Sequence, residues 1–151
     1  MKTDDQQVQP PEIVATGGAT LAMILRGGHR NPGIEFFTPA DYSQQLAYMN
    51  RPQGYRILPH VHNEVHRDVF MTQEVLFIKS GRVQVDFYDD RRRHVCDVVL
   101  EAGDVILLSA GGHGFTMLEP AEMIEVKQGP YAGDRDKTRF DPVTKKDLPP
   151  P

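Results

Sequence analysis

The sequence of 151 residues contains no tryptophan and a single cysteine, Cys96. One cysteine excludes an intrachain disulfide and any zinc site that needs two thiolates. Cys96 lies among the valines of HVCDVVL, which predicts a small buried thiol. Long apolar runs are lacking too, so the sequence shows neither a signal peptide nor a membrane-spanning segment. We therefore expect a cytoplasmic protein without a membrane partner.

A large excess of charge of either sign is also lacking. Lys and Arg number 17 and Asp and Glu number 21, which gives a net charge of −4 at pH 7. This balance does not favour a nucleic-acid partner, and no helix-turn-helix pattern is present. The only basic cluster is Arg91 to Arg93, and it directly follows Asp89 and Asp90. We interpret this stretch as a solvated hairpin turn.

Amphipathic helical repeats are missing, and short segments of alternating polar and apolar residues take their place. In RVQVDFY, for example, Val83, Val85 and Phe87 share one face. Turn signals rich in glycine and aspartate separate the segments. The predicted strands are ATLAMILR, GIEFF, QQLAYMN, GYRILPHVH, HRDVFMT, EVLFIKSG, RVQVDFYD, RHVCDVVL, DVILLS, HGFTML and AEMIEVKQ.

This pattern predicts an all-β, antiparallel sandwich or barrel. We place a single domain at residues 13–140, between a flexible lead-in at 1–12 and a proline-rich tail at 141–151. Small sandwiches of this kind often cover their exposed sheet edges by pairing. A homodimer is therefore expected.

Three of the six histidines lie in the stretch PHVHNEVHRDVFMTQEVLFIKSG. On a strand, His60 and His62 would project to the same side with Cβ atoms about 6–7 Å apart. Two imidazoles at that separation can hold one ion. Paired histidines also occur on ordinary solvated strands, so the surrounding residues must decide between the two interpretations.

Those surroundings have a definite spacing. Five residues lie between Gly54 and His60, six lie between Glu74 and Gly81, and a second glycine-rich stretch runs from Gly103 to His113. Over about residues 44–127 the chain resembles the cupin family, whose two motifs have this arrangement. Three departures are visible: Ser109 stands where proline is usual, the histidine of the second motif comes one residue early, and eleven residues separate His62 from Glu74.

The resemblance implies a double-stranded β-helix, that is, a jelly-roll barrel. It also implies a single metal site whose ligands are His60, His62, Glu74 and His113. Imidazoles with a carboxylate suit a divalent transition metal, and Fe, Mn, Ni, Cu and Zn all remain open. Glu64 is the alternative carboxylate.

Further residues are predicted around the site. Arg56 shares the face of His60 by alternation and either clamps an anionic substrate or forms an internal ion pair. Arg67 is a second candidate for gripping the substrate, while Phe115 and Met117 would form an apolar floor beyond His113. The candidate acid–base groups are Glu125, Lys127, Tyr131 and His66.

Three functions are consistent with these residues. The first is a metal-dependent isomerase, epimerase or lyase that acts on a small polar metabolite, such as a sugar or keto acid. The second is an Fe(II) dioxygenase, which uses the same set of ligands. The third is a barrel that binds a small ligand without catalysis. The ligand set alone does not separate them.

Overall fold

A computed structural model describes residues 10–142, and this part of the chain is all-β with antiparallel sheets. The predicted lead-in and tail lie mostly outside the described residues, although the first strand already begins at Glu12. One 3₁₀ turn, Gly133–Arg135, follows the last strand. The strands are β1 Glu12–Thr16, β2 Ala19–Leu25, β3 Gly33–Phe36, β4 Ala47–Asn50, β5 Glu74–Ser80, β6 Arg82–Tyr88, β7 His94–Glu101, β8 Val105–Leu108, β9 Gly112–Met117 and β10 Glu122–Lys127.

Two sheets enclose the core. The larger has the order β1-β2-β8-β5-β10, the smaller has the order β7-β6-β9, and β3 and β4 form a separate hairpin. Apolar side chains from both sheets pack into one cluster, which includes Ile24, Ile78, Val85, Phe87 and Ile106. Burial of this cluster is the main force that holds the two sheets together.

The alternation predicted for β6 is confirmed. Val83, Val85 and Phe87 are buried, while the residues between them are partly exposed or exposed. The turn signals are confirmed as well, since Gly81 joins β5 to β6 with a positive φ and the Asp89 region joins β6 to β7. Cys96 on β7 is half-buried and packs against the core, where burial raises the pKa of its thiol.

Hydrogen bonds explain why serine rather than proline stands at position 109. Its backbone N–H donates to the carbonyl of Leu21 over 2.8 Å, and its hydroxyl donates to the carbonyl of Thr20, also over 2.8 Å. A proline has no N–H and could not make the first of these bonds. Serine at this position therefore ties the end of β8 to β2.

Two strand predictions are wrong. Residues 51–73 contain no regular secondary structure, although GYRILPHVH and HRDVFMT alternate as strands do. Alternation provides a strand with one apolar face, but the strand forms only when a neighbouring edge takes up its backbone hydrogen bonds. We call residues 54–71 the arm.

The described residues also hold no helix long and apolar enough to cross a membrane.

Candidate functional site

A cavity of about 650 Å³ opens at one end of the sandwich. Its walls come from β5, β9 and β10 and from the segment that follows the 3₁₀ turn. Glu74, His113, Phe115 and Glu125 line it. Four residues predicted from the sequence are thus brought to one cavity, whose size suits a small metabolite.

Glu74 and His113 meet across the open end of the sandwich. Glu74 begins β5 of the larger sheet, and His113 lies opposite the buried Phe87 at the start of β9 in the smaller sheet. The carboxylate Oε2 lies 3.2 Å from the imidazole Nε2. The two side chains are 14% and 27% exposed, so both are partly shielded from water yet open to the cavity.

The electrostatics of this pair follow from its neighbours. The imidazole of His113 holds the pKa of the Glu74 carboxyl below its ordinary value, while burial opposes that shift and Lys127 supports it. Lys127 lies directly opposite Glu74 on β10, with Nζ 4.0 Å from the carboxylate Oε1. Glu74 is therefore an ionised group at the cavity wall at neutral pH.

Lys127 also faces two further carboxylates, with Nζ 3.9 Å from Glu125 and 3.7 Å from Asp136. The alternation of β10 explains this placement. Met123 packs against the core and shares a face with Glu125 and Lys127, while Ile124 and Val126 are exposed on the opposite face. The face of β10 that carries Glu125 and Lys127 is therefore the face that packs Met123 against the core.

The far wall of the cavity could not be predicted from the sequence. Asp136 accepts a 2.9 Å hydrogen bond from Thr72, and Phe140 packs edge-on against Tyr88 with ring centroids 5.3 Å apart. Lys137 and Arg139 line the same wall and add positive charge. These residues follow the last strand in an irregular segment, which carries no periodic pattern that could have revealed the contact.

Gln73 closes the base of the irregular segment. It is buried, and its Oε1 accepts from the Ser43 hydroxyl and from the Gln44 backbone N–H, each over 3.1 Å. Its own backbone N–H donates to Gln128 over 2.6 Å. Gln73 therefore ties the end of residues 51–73 to the segment before β4 and to the residue that follows β10.

His60 and His62 lie outside the cavity, on the exposed arm. Their ring centroids are 5.3 Å apart. Nδ1 of His60 lies 3.0 Å from the carbonyl of Leu58, and because a carbonyl can only accept, Nδ1 is the donor in this contact. In residues 10–142, no three histidine, cysteine or carboxylate side chains come together as a possible metal site.

The remaining predicted residues are dispersed. Arg56 and Arg67 lie exposed on the arm, and so does His66, whose Nε2 is 3.0 Å from Asp68. Tyr131 is 82% exposed beyond β10. Met117 is exposed at the far end of β9 and does not line the cavity. Glu64, the alternative carboxylate, also lies on the arm.

Comparison with known proteins gives no relative from which to transfer a function. No protein-family model matches the chain, no curated protein matches its sequence, and no solved structure matches its fold.

Proposed function

We propose that this chain is a cupin-type metalloenzyme that acts on a small polar metabolite, such as a sugar or keto acid, by isomerisation, epimerisation or elimination. The observation that carries the proposal is the Glu74–His113 pair, which opens into a metabolite-sized cavity beside a lysine and two further carboxylates. The antiparallel order of the two sheets is compatible with a jelly-roll barrel.

The separation of one donor pair supports a divalent transition metal in this proposal. Two ligands that each lie about 2.1 Å from an ion are roughly 3.0 Å apart at a right angle and roughly 3.4 Å apart at the tetrahedral angle. The 3.2 Å between Glu74 Oε2 and His113 Nε2 falls within this interval. An ordinary ion pair has a similar separation, so metal content must distinguish the two. His60 and His62 would supply the other two ligands.

Residues of the chain itself can bind the substrate and move a proton. Glu125 lines the cavity as a carboxylate base, and the Lys127 ammonium nearby can donate a proton or balance negative charge. Phe115 offers an apolar wall, while Lys137 and Arg139 can hold an anionic or hydroxylated end of the substrate. A bound metal ion would supply the Lewis acidity that polarises a carbonyl.

The test is exchange of the substrate's α-proton with solvent. Protein loaded with metal is incubated in D₂O without oxygen, with a panel of keto acids and keto sugars, and deuterium incorporation is followed by NMR. We expect incorporation or isomerisation, and Glu125→Gln should slow it about 100-fold or more because the base is lost. Glu122→Gln, on the same strand but paired with Ser80 at its other end, should leave the rate unchanged.

Two results would contradict this reaction class. Turnover that requires oxygen and stops under anaerobic conditions would point to a dioxygenase. Tight binding of a panel member without exchange or turnover would point to a barrel that only binds its ligand.

A further inference from the structure

The arm exposes more apolar surface than its sequence would lead one to expect of a loop. All eight of its large apolar side chains are exposed, and Val61 and Phe70 reach 86% and 91%. The exposed set is Tyr55, Ile57, Leu58, Val61, Val65, Val69, Phe70 and Met71. Exposed apolar side chains in this number mark a surface that binds another molecule.

The backbone of the arm is open as well. Within the described residues, positions 56–71 make no backbone–backbone hydrogen bond. Four strands of the two sheets have a single neighbour among the described strands, namely β1, β10, β7 and β9, and of these only β9 and β10 contribute residues to the cavity. An unpaired, alternating segment and an unpaired edge are complementary, since each supplies the hydrogen bonds that the other lacks.

The donor atoms of the candidate metal site are divided in the same way. Glu74 and His113 lie in the cavity, while His60 and His62 lie on the arm. The net charges of the two parts do not oppose their union. The arm carries Arg56 and Arg67 against Glu64 and Asp68 and is neutral overall, so the net charge of −4 belongs to the rest of the chain. A histidine-rich, neutral arm can approach that acidic body without repulsion.

We propose that two copies of this chain exchange arms, and that each arm pairs along the free edge of β9 in the other copy. His60 and His62 of one copy thereby reach Glu74 and His113 of its partner and complete the metal site. This inference rests on the proposed metal-binding function. Neighbouring strands lie about 4.8 Å apart, and side chains two apart share a face, so both histidines can face the cavity together. Pro59 lacks an N–H, and an edge strand tolerates that.

A second copy is the occupant that the geometry favours. The arm's own chain leaves it outside the cavity, to which it contributes only Met71 at its very end. Gln73 holds the base of the excursion through its hydrogen bonds to Ser43 and Gln44, so the arm projects from a fixed point. Reciprocal exchange about a two-fold axis covers both arms and both β9 edges at once and forms a closed dimer.

The decisive experiment divides the ligands between two variants. His60→Ala/His62→Ala keeps the cavity ligands, and Glu74→Gln/His113→Ala keeps the arm ligands. The two chains are co-expressed with different affinity tags that contain no histidine, and the mixed dimer is isolated. It is then exposed to Zn(II), desalted and analysed for zinc. Each variant alone and the wild type are treated in parallel, and circular dichroism verifies that all are folded.

Exchange predicts about one zinc ion per mixed dimer, because one of its two sites receives all four ligands, and none for either variant alone. Zinc in the wild type but none in the mixed dimer would overturn the exchange and keep the metal site. Absence of zinc from the wild type itself would overturn the proposed metal site and, with it, this inference.

A second measurement does not depend on metal. Val61→Ser/Phe70→Ser changes two side chains that are exposed in the isolated chain, so the fold of the monomer should be unaffected. Light scattering should show this variant at the monomer mass of 17.0 kDa and the wild type at twice that mass. The control Ile13→Ser/Phe77→Ser, on exposed positions of the larger sheet, should remain dimeric. A monomeric wild type, or a variant that remains dimeric, would overturn the exchange.

Discussion

At the scale of single residues, both the backbone conformation and the close packing at position 81 require glycine. Gly81 has φ of +80°, and a Cβ there would lie 2.2 Å from the backbone oxygen of Pro120. Backbone atoms cannot yield as a flexible side chain can. The close approach brings the β5–β6 turn against the β9–β10 turn and so fixes one end of the sandwich.

Gly81→Ala should therefore destabilise the fold for two reasons. A positive φ costs a residue with a Cβ about 1–2 kcal/mol, and the clash with Pro120 should bring the total to about 3 kcal/mol or more. Gly18→Ala is the matched control, since Gly18 has φ of +82° with nothing within 4 Å of its Cβ position. Gly18→Ala should lose only the stability that the positive φ costs, about 1–2 kcal/mol. Urea unfolding measures both variants, and equal losses would show that the approach to Pro120 is unimportant.

The two alternative carboxylate ligands predicted from the sequence, Glu74 and Glu64, lie in different surroundings. Glu74 has a protein environment suited to a ligand, whereas Glu64 is exposed on the arm. The spacing of Glu74 to Gly81 could be read from the sequence, and its place beside His113 agrees with that reading. The proximity of Asp136 to Lys127 could not be predicted from the sequence, because this contact leaves no periodic pattern in the chain.

At the scale of elements, β5 and β6 could be predicted because their alternation is matched by a buried face, and β7 to β10 also lie in segments that were predicted as strands. The arm has the same alternation but no strand beside it, so its strand prediction failed. Strand β1 was missed because its sequence EIVAT does not alternate regularly, and its pairing with β2 contains a bulge after Val14. A periodic pattern thus identifies a segment suited to a sheet, while the partner edge decides whether the strand forms.

The turn between β6 and β7 yields a prediction about pH. Asp89 Oδ1 accepts from the backbone N–H groups of Arg91 and Arg93, each over 2.9 Å. The backbone hydrogen bond from Arg93 lowers the pKa of Asp89, and its guanidinium adds to the effect. Because the folded pKa lies below the unfolded one, the carboxylate stabilises the fold above the unfolded pKa. That stabilisation disappears as the pH falls through the folded pKa.

Asp89→Asn should consequently be less stable than the wild type at neutral pH, and the difference should shrink on acidification. Urea unfolding across the pH range in which both proteins stay folded measures this. Asp90→Asn serves as the control, since Asp90 makes no hydrogen bond to the turn among the described residues, and it should show no such trend. A difference that is independent of pH would contradict the role of the Asp89 charge.

At the scale of the whole molecule, each of the two sheets has one edge strand beside the cavity, β10 in the larger sheet and β9 in the smaller. The all-β class was predictable from the sequence, because alternation and turn signals recur along the whole chain. The division of the candidate ligands between cavity and arm was not, since it depends on where a long excursion leaves and re-enters the fold. A metal ion would be the link that joins these two parts.

The most direct measurement is the elemental metal content of wild-type protein purified without a histidine tag or chelator. We predict about one equivalent of a divalent transition metal per chain, lost in both His60→Ala and Glu74→Gln and retained in Glu64→Gln. No metal in the wild type, even after reconstitution, would contradict the proposed site, and loss in Glu64→Gln but not in Glu74→Gln would contradict the ligand assignment.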